Sequence, residues 1–345
     1  MSTCRFQKHV FGGTSISFMI GAFIIYNSGT QKIIKMALPL YFNEDDTEWY
    51  FTYNFQKLLL SQEKKKFGMS GGTFKSKYAP IGKLHKNDET YEVAVKIIKS
   101  IVHTDDIEEY VRELDAIIII GFHSNIIAFY GWTLQQKTPA LITELAETDL
   151  LQYVRKLRGL EFPHKQNLSI LWQITSALEY IASLSMVHRD VACRNILLTE
   201  SGIAKLSDFG LCCHCDESFT YRASLQKRLP LKWLSIEALI DRLFSEKSDV
   251  WSFGVLCYET FSDGAVPYPA LSNEEMLEAL QNGKRLEKPS KASNEIYELM
   301  LKCWAEQPIE RPSFKDLSKE LKVILESITE IYGYLTLDFS KNTQS

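Results

Sequence analysis

The stretch from Met186 to Leu198 reads MVHRDVACRNILL, and the sequence Ser-Asp-Phe-Gly follows it at 207–210. Asp190 stands five residues before Asn195 and eighteen before Asp208. Phosphoryl transfer requires an aspartate that accepts a hydroxyl proton and oxygen-bearing side chains that hold a divalent metal. The spacing of these three residues predicts that chemistry, whereas a lone His-Arg-Asp triplet would predict little.

A strand and a helix upstream supply two further charged groups. The run Val93-Ala94-Val95-Lys96 alternates β-branched residues and predicts a strand that ends in a lysine. Apolar residues recur at helical spacing over residues 105 to 120, which predicts a helix there. Glu113 lies on the flank of the apolar stripe of this helix, where its carboxylate can pair with Lys96. A solvated helix charge is the alternative for Glu113.

Together these motifs resemble the protein tyrosine kinase family. The order Ala192, any residue, Arg194, Asn195 is that of receptor-type tyrosine kinases. Residues 229–233, Leu-Pro-Leu-Lys-Trp, resemble the platform on which these kinases hold a tyrosine acceptor. The run at 112–115, Arg-Glu-Leu-Asp, is most similar to kinases of the fibroblast growth factor receptor type. Tyrosine is therefore the expected acceptor.

The resemblance covers about residues 51 to 330 and implies an α+β, two-lobed protein kinase fold. A small β-rich N-lobe with one key helix would occupy about 51–145. A large, mainly helical C-lobe would occupy about 146–330, and residues 331–345 would form a C-terminal tail.

The family pattern also implies roles for single residues. The implied catalytic residues are Asp190, Arg194, Asn195, Lys96 and Glu113. Mg²⁺ (or Mn²⁺) would be held by Asn195 and Asp208. ATP would contact Gly68, Ser70, Gly71, Gly72, Lys96, Thr143, Glu144 and Ala146, with Thr143 as the gatekeeper. Structural positions are Arg189, Asp249, which would brace the catalytic loop, and the pair Glu237 and Arg311.

The glycine-rich loop departs from the family pattern. If Phe74 takes the aromatic place, Ser70 and Gly72 stand at the first two glycine positions and Lys75 at the third. In a second alignment Gly68 is the first glycine and one residue is inserted. Backbone amides of this segment can still bind phosphate. The departure keeps a second hypothesis open, a pseudokinase or scaffold with weak or no catalysis.

Regulation is predicted at Tyr221, eight residues before Leu229, where the family carries an autophosphorylated tyrosine. A phosphate there would add roughly two negative charges near Arg189, Arg222 and Arg228 and order the loop. An exposed loop tyrosine without a role is the alternative.

The N-terminal segment differs from the rest of the chain because it contains a long run without charged side chains. Residues 10–31 carry no charged side chain, and as a helix they would reach about 33 Å, enough to cross a bilayer. We therefore expect a single transmembrane helix at 10–31, with 1–9 outside the cell and 32–50 as a juxtamembrane linker. The alternatives are a strand or helix packed on a soluble kinase, and a cleaved signal peptide.

Composition and the family resemblance limit the kinds of partner that we expect. A net charge of -4 lacks the excess of basic residues that is typical of nucleic-acid-binding proteins. The resemblance implies tyrosine-bearing protein substrates, a transient homodimer for trans-autophosphorylation, and SH2-type adaptors at phosphorylated tyrosines. The expected location is the plasma membrane, as a single-pass protein with a cytoplasmic kinase domain, and the alternative is the cytoplasm.

Overall fold

The computed structural model of the chain describes residues 4–7, 21–27, 30–36, 57–66, 78–86, 89–97, 104–135, 138–223 and 229–331. The chain divides into two compact units. The first comprises Met1–Lys65, Ala79–Ser100 and Phe129–Leu145, and the second comprises Lys66–Tyr78, Ile101–Ala128 and Ala146–Ser345. The elements described in the first unit are strands, while helices dominate the second, so the fold is α+β.

Two sheets make up the first unit. A three-stranded sheet has the order β1-β2-β3, with strands β1 (Cys4–Gln7), β2 (Gly21–Asn27) and β3 (Thr30–Met36). A five-stranded sheet has the order β4-β5-β6-β8-β7, with strands β4 (Lys57–Lys66), β5 (Tyr78–Lys86), β6 (Glu89–Ile97), β7 (Phe129–Gln135) and β8 (Thr138–Glu144).

The strand predicted at Val93 to Lys96 is confirmed as part of β6. Val93 and Val95 are buried in a small core with Ala140 and Ile142 of β8. Successive side chains of a strand point to opposite faces of the sheet. Lys96 therefore lies on the face opposite this core, where it is partly exposed.

The predicted transmembrane helix at residues 10–31 is wrong where the structure describes that range. Strands β2 and β3 pair antiparallel, from Gly21↔Met36 to Asn27↔Thr30. A charge-free apolar run suits a strand pair as well as a helix, and β-branched cross-strand pairs such as Ile24↔Ile33 favour strands. Residues 10–20 and 28–29 lie outside the described residues. Among the described helices, none combines the length and the apolar character that a bilayer span requires.

The second unit is built mainly from helices. They are α1 (Thr104–Ile120), α2 (Leu150–Lys156), α3 (His164–Ser183), α4 (Ile236–Ile240), α5 (Glu246–Phe261), α6 (Asn273–Gln281), α7 (Asn294–Cys303) and α8 (Phe314–Ile331). Short 3₁₀ turns occur at Cys193–Asn195, Leu231–Trp233 and Pro308–Glu310.

Short strands connect these helices in three small sheets. One sheet has the order β12-β11-β9, with β9 (Thr148–Asp149), β11 (Ile196–Leu198) and β12 (Ala204–Leu206). The other two are the pairs β10 (Met186–Val187) with β13 (Cys213–His214), and β14 (Tyr221–Arg222) with β15 (Leu243–Phe244).

The helix predicted over residues 105 to 120 is confirmed as α1. Its C-terminal end is fixed to α3, because Tyr180 Oη donates to Ile120 O at 2.7 Å and the Tyr180 ring stacks on His123. Just beyond it, Asn125 Nδ2 donates to Gln173 Oε1 at 3.1 Å. Our expectation places this helix in the small lobe, whereas these contacts group it with the second unit.

Helix α5 runs through the core of the second unit. It begins with a capping box between Ser245 and Ser248, and most of its residues are buried. Phe253 packs edge-on against Phe314 of α8, with ring centroids 6.0 Å apart. Gly254 faces α7 so closely that a Cβ would lie 2.6 Å from Trp304 Nε1 and 2.8 Å from Cys303 Cβ. Glycine is therefore required at this helix crossing.

We expect Gly254→Ala to lower the free energy of unfolding by about 1–3 kcal/mol, because the added methyl group overpacks a rigid core. Chemical denaturation followed by fluorescence measures the change. Ser327→Ala, at an exposed position of α8, is the control and should stay within about 0.5 kcal/mol of the unmodified chain. Equal stabilities of the two variants would contradict the close packing of α5 on α7.

Candidate active site

The segment between β10 and β11 brings together three of the predicted catalytic residues. Arg194 Nη2 forms an ion pair with Asp190 Oδ1, and the two side chains are only 8% and 13% exposed. Asn195 Nδ2 donates to the backbone oxygen of Asp190 at 2.7 Å. The Asp190 carboxylate is thus oriented by a guanidinium, and its backbone is fixed by an amide.

The segment between β10 and β11, which we call the catalytic loop, is held by Asp249 of α5. Its two carboxylate oxygens accept hydrogen bonds from His188 N at 2.6 Å and from Arg189 N at 2.9 Å. Burial raises the pKa of Asp249, and the charge and hydrogen bonds of His188 and Arg189 oppose that rise. Arg189 has a backbone φ of 69°, in the left-handed region that non-glycine residues seldom adopt. The contact with Asp249 helps to hold this backbone.

The residues predicted to hold a metal also converge. Ser207 donates to Asn195 O from both its backbone nitrogen, at 2.9 Å, and its hydroxyl, at 2.8 Å, which brings the next residue, Asp208, close to the catalytic loop. Asp208 has a φ of 64°. The Asn195 amide uses its nitrogen on Asp190, so its oxygen is the atom that could bind a cation. An amide oxygen and a carboxylate are hard ligands that fit Mg²⁺ or Mn²⁺.

Arg189 and the predicted phosphorylation site Tyr221 are neighbours. The guanidinium of Arg189 lies over the Tyr221 ring, 4.9 Å from its centroid, and Nη1 donates to Cys213 Sγ at 3.0 Å. Burial raises the pKa of Tyr221, and the Arg189 charge opposes this rise. Arg222 instead donates to Asp241 O at 3.0 Å, and Arg228 lies outside the described residues. Of the two described arginines in the prediction, Arg189 is the one that lies against Tyr221, and the charge of Arg112 also acts on the Tyr221 hydroxyl.

Glu237 and Arg311 form a two-pronged ion pair. Arg311 Nη1 and Nη2 donate to the two oxygens of Glu237 at 2.7 and 2.9 Å. The Arg311 side chain is 0% exposed, and its Nη1 also donates to Lys247 O at 2.9 Å. Bidentate geometry and full burial make this a strong anchor between α4 and the loop before α8.

The other predicted residues are distributed between the two units. In the first unit Lys96 lies on β6, and Thr143 and Glu144 end β8, where Thr143 Oγ1 donates to Glu144 O at 3.3 Å. In the second unit Glu113 is buried on α1, and Ala146 is buried before β9. The glycine-loop residues Gly68, Ser70, Gly71 and Gly72 lie outside the described residues.

Sequence reasoning missed one residue of this site, Glu259, and placed Trp233 in the platform motif without giving its side chain a role. The Arg194 guanidinium lies over the Trp233 ring, 4.4 Å from its centroid. Glu259, at 2% exposure, accepts hydrogen bonds from Trp233 Nε1 and from Cys193 N, both at 2.9 Å. The available signal was a glutamate inside the apolar run of α5, because a buried carboxylate requires donors.

Comparison with known proteins agrees with this geometry. The model of the family "Protein tyrosine and serine/threonine kinase" matches residues 64–321 of the 345. The chain therefore belongs to this protein kinase family, and the predicted likeness to receptor-type tyrosine kinases is confirmed.

Two relatives illustrate that likeness. "Putative tyrosine-protein kinase F09A5.2" of Caenorhabditis elegans is 39% identical over 270 residues, which cover 73% of this chain and 31% of that protein. "Fibroblast growth factor receptor 1" of Pleurodeles waltl is 35% identical over 349 residues, covering 96% of this chain and 42% of that protein. The chain thus spans less than half the length of these curated relatives.

We expect Glu237→Gln to lower the free energy of unfolding by about 3–5 kcal/mol, because it leaves the buried Arg311 charge without its counter-ion. Glu320→Gln is the matched control, since Glu320 pairs with Lys302 at 2.7 Å on the surface, with side chains 33% and 54% exposed. That change should cost less than about 1 kcal/mol. Thermal and urea unfolding measure both, and equal losses would contradict the anchoring role of the Glu237–Arg311 pair.

Proposed function

We propose that the chain is an ATP-dependent protein tyrosine kinase that transfers the γ-phosphate of ATP to tyrosine hydroxyls of proteins. The observation that carries the proposal is the contact of Arg194 with both the Asp190 carboxylate and the Trp233 ring. This contact links the proton acceptor to the segment that resembles a tyrosine-acceptor platform. The names of the two relatives, a tyrosine-protein kinase and a growth factor receptor, support the same acceptor.

In the proposed reaction, Asp190 accepts the proton of the acceptor hydroxyl as the oxygen attacks the γ-phosphorus, and the bond from that phosphorus to the β,γ-bridging oxygen breaks to release ADP. Arg194 is paired with Oδ1 of Asp190, so Oδ2 is the oxygen we assign to the acceptor. Asn195 fixes the Asp190 backbone and, with Asp208, would hold the divalent metal. When bound, that metal would neutralise charge on the phosphates. Lys96, Glu113, Thr143, Glu144 and Ala146 keep their predicted nucleotide-related roles in this proposal.

The proposal includes control by phosphorylation of Tyr221, transferred between two transiently paired copies of the chain. A phosphotyrosine carries about −1.5 to −2 charges and three acceptor oxygens. Arg189 already lies against the Tyr221 ring, and two of its nitrogens, Nε and Nη2, are buried without a hydrogen-bond partner among the described residues. A phosphate on Tyr221 would supply negatively charged oxygens as acceptors for these two guanidinium nitrogens.

We also propose that the kinase acts in membrane-associated signalling and that its phosphorylated tyrosines recruit SH2-type adaptors. The support is the likeness to a fibroblast growth factor receptor over 96% of this chain. Phosphotyrosine docking on arginine clusters gives the physical basis for recruitment.

Incubation of the purified chain with labelled ATP and Mg²⁺ should label a tyrosine polymer. We expect Asp190→Asn to lower kcat by about 10²–10⁴-fold, because it removes the proton acceptor. Asp263→Asn makes the same chemical change at a partly buried pair with Lys291, at a left-handed position that asparagine tolerates, and should keep full activity. A chain that labels only serine would refute the tyrosine acceptor, and a chain that labels nothing would refute the proposal and favour the pseudokinase alternative.

We expect preincubation with ATP to activate the unmodified chain but not Tyr221→Phe, because the variant lacks the hydroxyl that receives the phosphate. Initial rates on a tyrosine peptide before and after preincubation measure this effect. Tyr153→Phe, on α2, is the control and should be activated normally. Equal activation of Tyr221→Phe and the unmodified chain would remove Tyr221 from the regulation.

A further inference from the structure

Helix α5 carries two buried carboxylates, Asp249 and Glu259, which are 3% and 2% exposed. Asp249 binds the start of the catalytic loop through the backbone nitrogens of His188 and Arg189. Glu259 binds the other end of the same loop through Cys193 N at 2.9 Å. The loop that carries Asp190 is thus fixed at both ends by one rigid helix.

Glu259 differs from Asp249 because it also reaches a second segment. The same oxygen, Oε2, accepts from Cys193 N and from Trp233 Nε1, each at 2.9 Å. Trp233 ends the 3₁₀ turn Leu231–Trp233 in the segment proposed to hold the acceptor. A single carboxylate oxygen therefore joins the catalytic loop to the acceptor platform.

From Trp233 the chain of contacts continues to the proposed base. The Trp233 ring lies beneath the Arg194 guanidinium, 4.4 Å from centroid to Cζ, and Arg194 is paired with Asp190. The indole hydrogen bond to Glu259 fixes the plane of the ring, because an indole has one N–H donor. Fixing this plane fixes the surface on which the guanidinium rests.

We propose that Glu259 is a positioning residue for phosphoryl transfer, which holds Trp233 beneath Arg194 and so aligns Asp190 with the acceptor platform. This inference rests on the proposed kinase function and names a residue of that site which the sequence motifs do not contain. Glu259 itself touches neither Asp190 nor the acceptor in this scheme. It acts through Trp233 and the backbone of Cys193.

A role in support of the fold alone would have a different signature. Burial of a carboxylate costs free energy unless donors compensate for it, so a purely structural position in the last turn of α5 would be served as well by an apolar side chain. The two donors of Glu259 come instead from the two segments whose relative position the reaction depends on. Loss of Glu259 should therefore change the use of the acceptor more than the use of ATP.

The kinetic test compares Glu259→Gln with Glu278→Gln, an exposed glutamate of α6. For Glu259→Gln we expect kcat to fall about tenfold and the peptide KM to rise about tenfold, with the ATP KM unchanged, because the alignment of the acceptor is lost. The control should match the unmodified chain in all three constants. Unchanged KM values with a reduced fraction of active enzyme would show a structural role only and overturn the proposal.

A double-mutant cycle with Trp233→Phe sharpens the test. This variant keeps an aromatic face for Arg194 but removes the indole N–H that Glu259 accepts. If the two residues act through one hydrogen bond, the double variant should be no slower than the worse single variant. Fully multiplicative losses would overturn the proposed route through Trp233.

A readout without catalysis separates this inference from the proposed function. In ¹H–¹⁵N NMR spectra, Glu259→Gln should shift the Trp233 indole signal and the Arg194 side-chain signal and leave that of Trp172 on α3 in place. Unshifted Trp233 and Arg194 signals would overturn the inference. A chain that transfers no phosphate but shows these shifts would refute the kinase proposal while retaining the link from Glu259 to Arg194.

Discussion

Two buried carboxylates on α5 determine where the catalytic loop lies. A buried charge is stable only where donors surround it, and the donors of Asp249 and Glu259 are largely backbone nitrogens of that loop. The loop therefore takes its conformation from a helix whose own position is set by packing against α7 and α8. The precision required at Asp190 is supplied by the core of the second unit rather than by the loop itself.

Residues that belong to short sequence motifs with a recognised chemical role were predictable from the sequence. Asp190, Asn195 and Asp208 stand at spacings that the reaction requires, and the structure places the first two in contact. Glu259 was not predictable in this way, because its donors lie 66 and 26 residues away. Only the folded chain brings a helix, a loop and a 3₁₀ turn to one oxygen.

The helix predicted at residues 10–31 is not found at its described positions, residues 21–27 and 30–31, for a different physical reason. Hydropathy and the absence of charge report the free-energy cost of moving a segment out of water. A helix and a pair of strands can both bury such a segment with their backbone groups hydrogen-bonded. The distinction lies in local preferences, and the isoleucine-rich strands Gly21–Asn27 and Thr30–Met36 show the β preference. In contrast, β6 and α1 were predicted correctly, since each has a clear period, two residues in the strand and about 3.6 in the helix.

The left-handed backbones of Arg189 and Asp208 have a consequence for the evolution of this chain. A non-glycine residue in that region costs roughly 1–2 kcal/mol, and glycine would remove the cost. Glycine would also remove the guanidinium that lies against Tyr221 and the carboxylate that we propose as a metal ligand. Backbone strain is thus retained at two positions for the sake of their side chains, and at Arg189 relief of the strain by glycine would also remove a buried side chain that contacts Leu211 and Phe244.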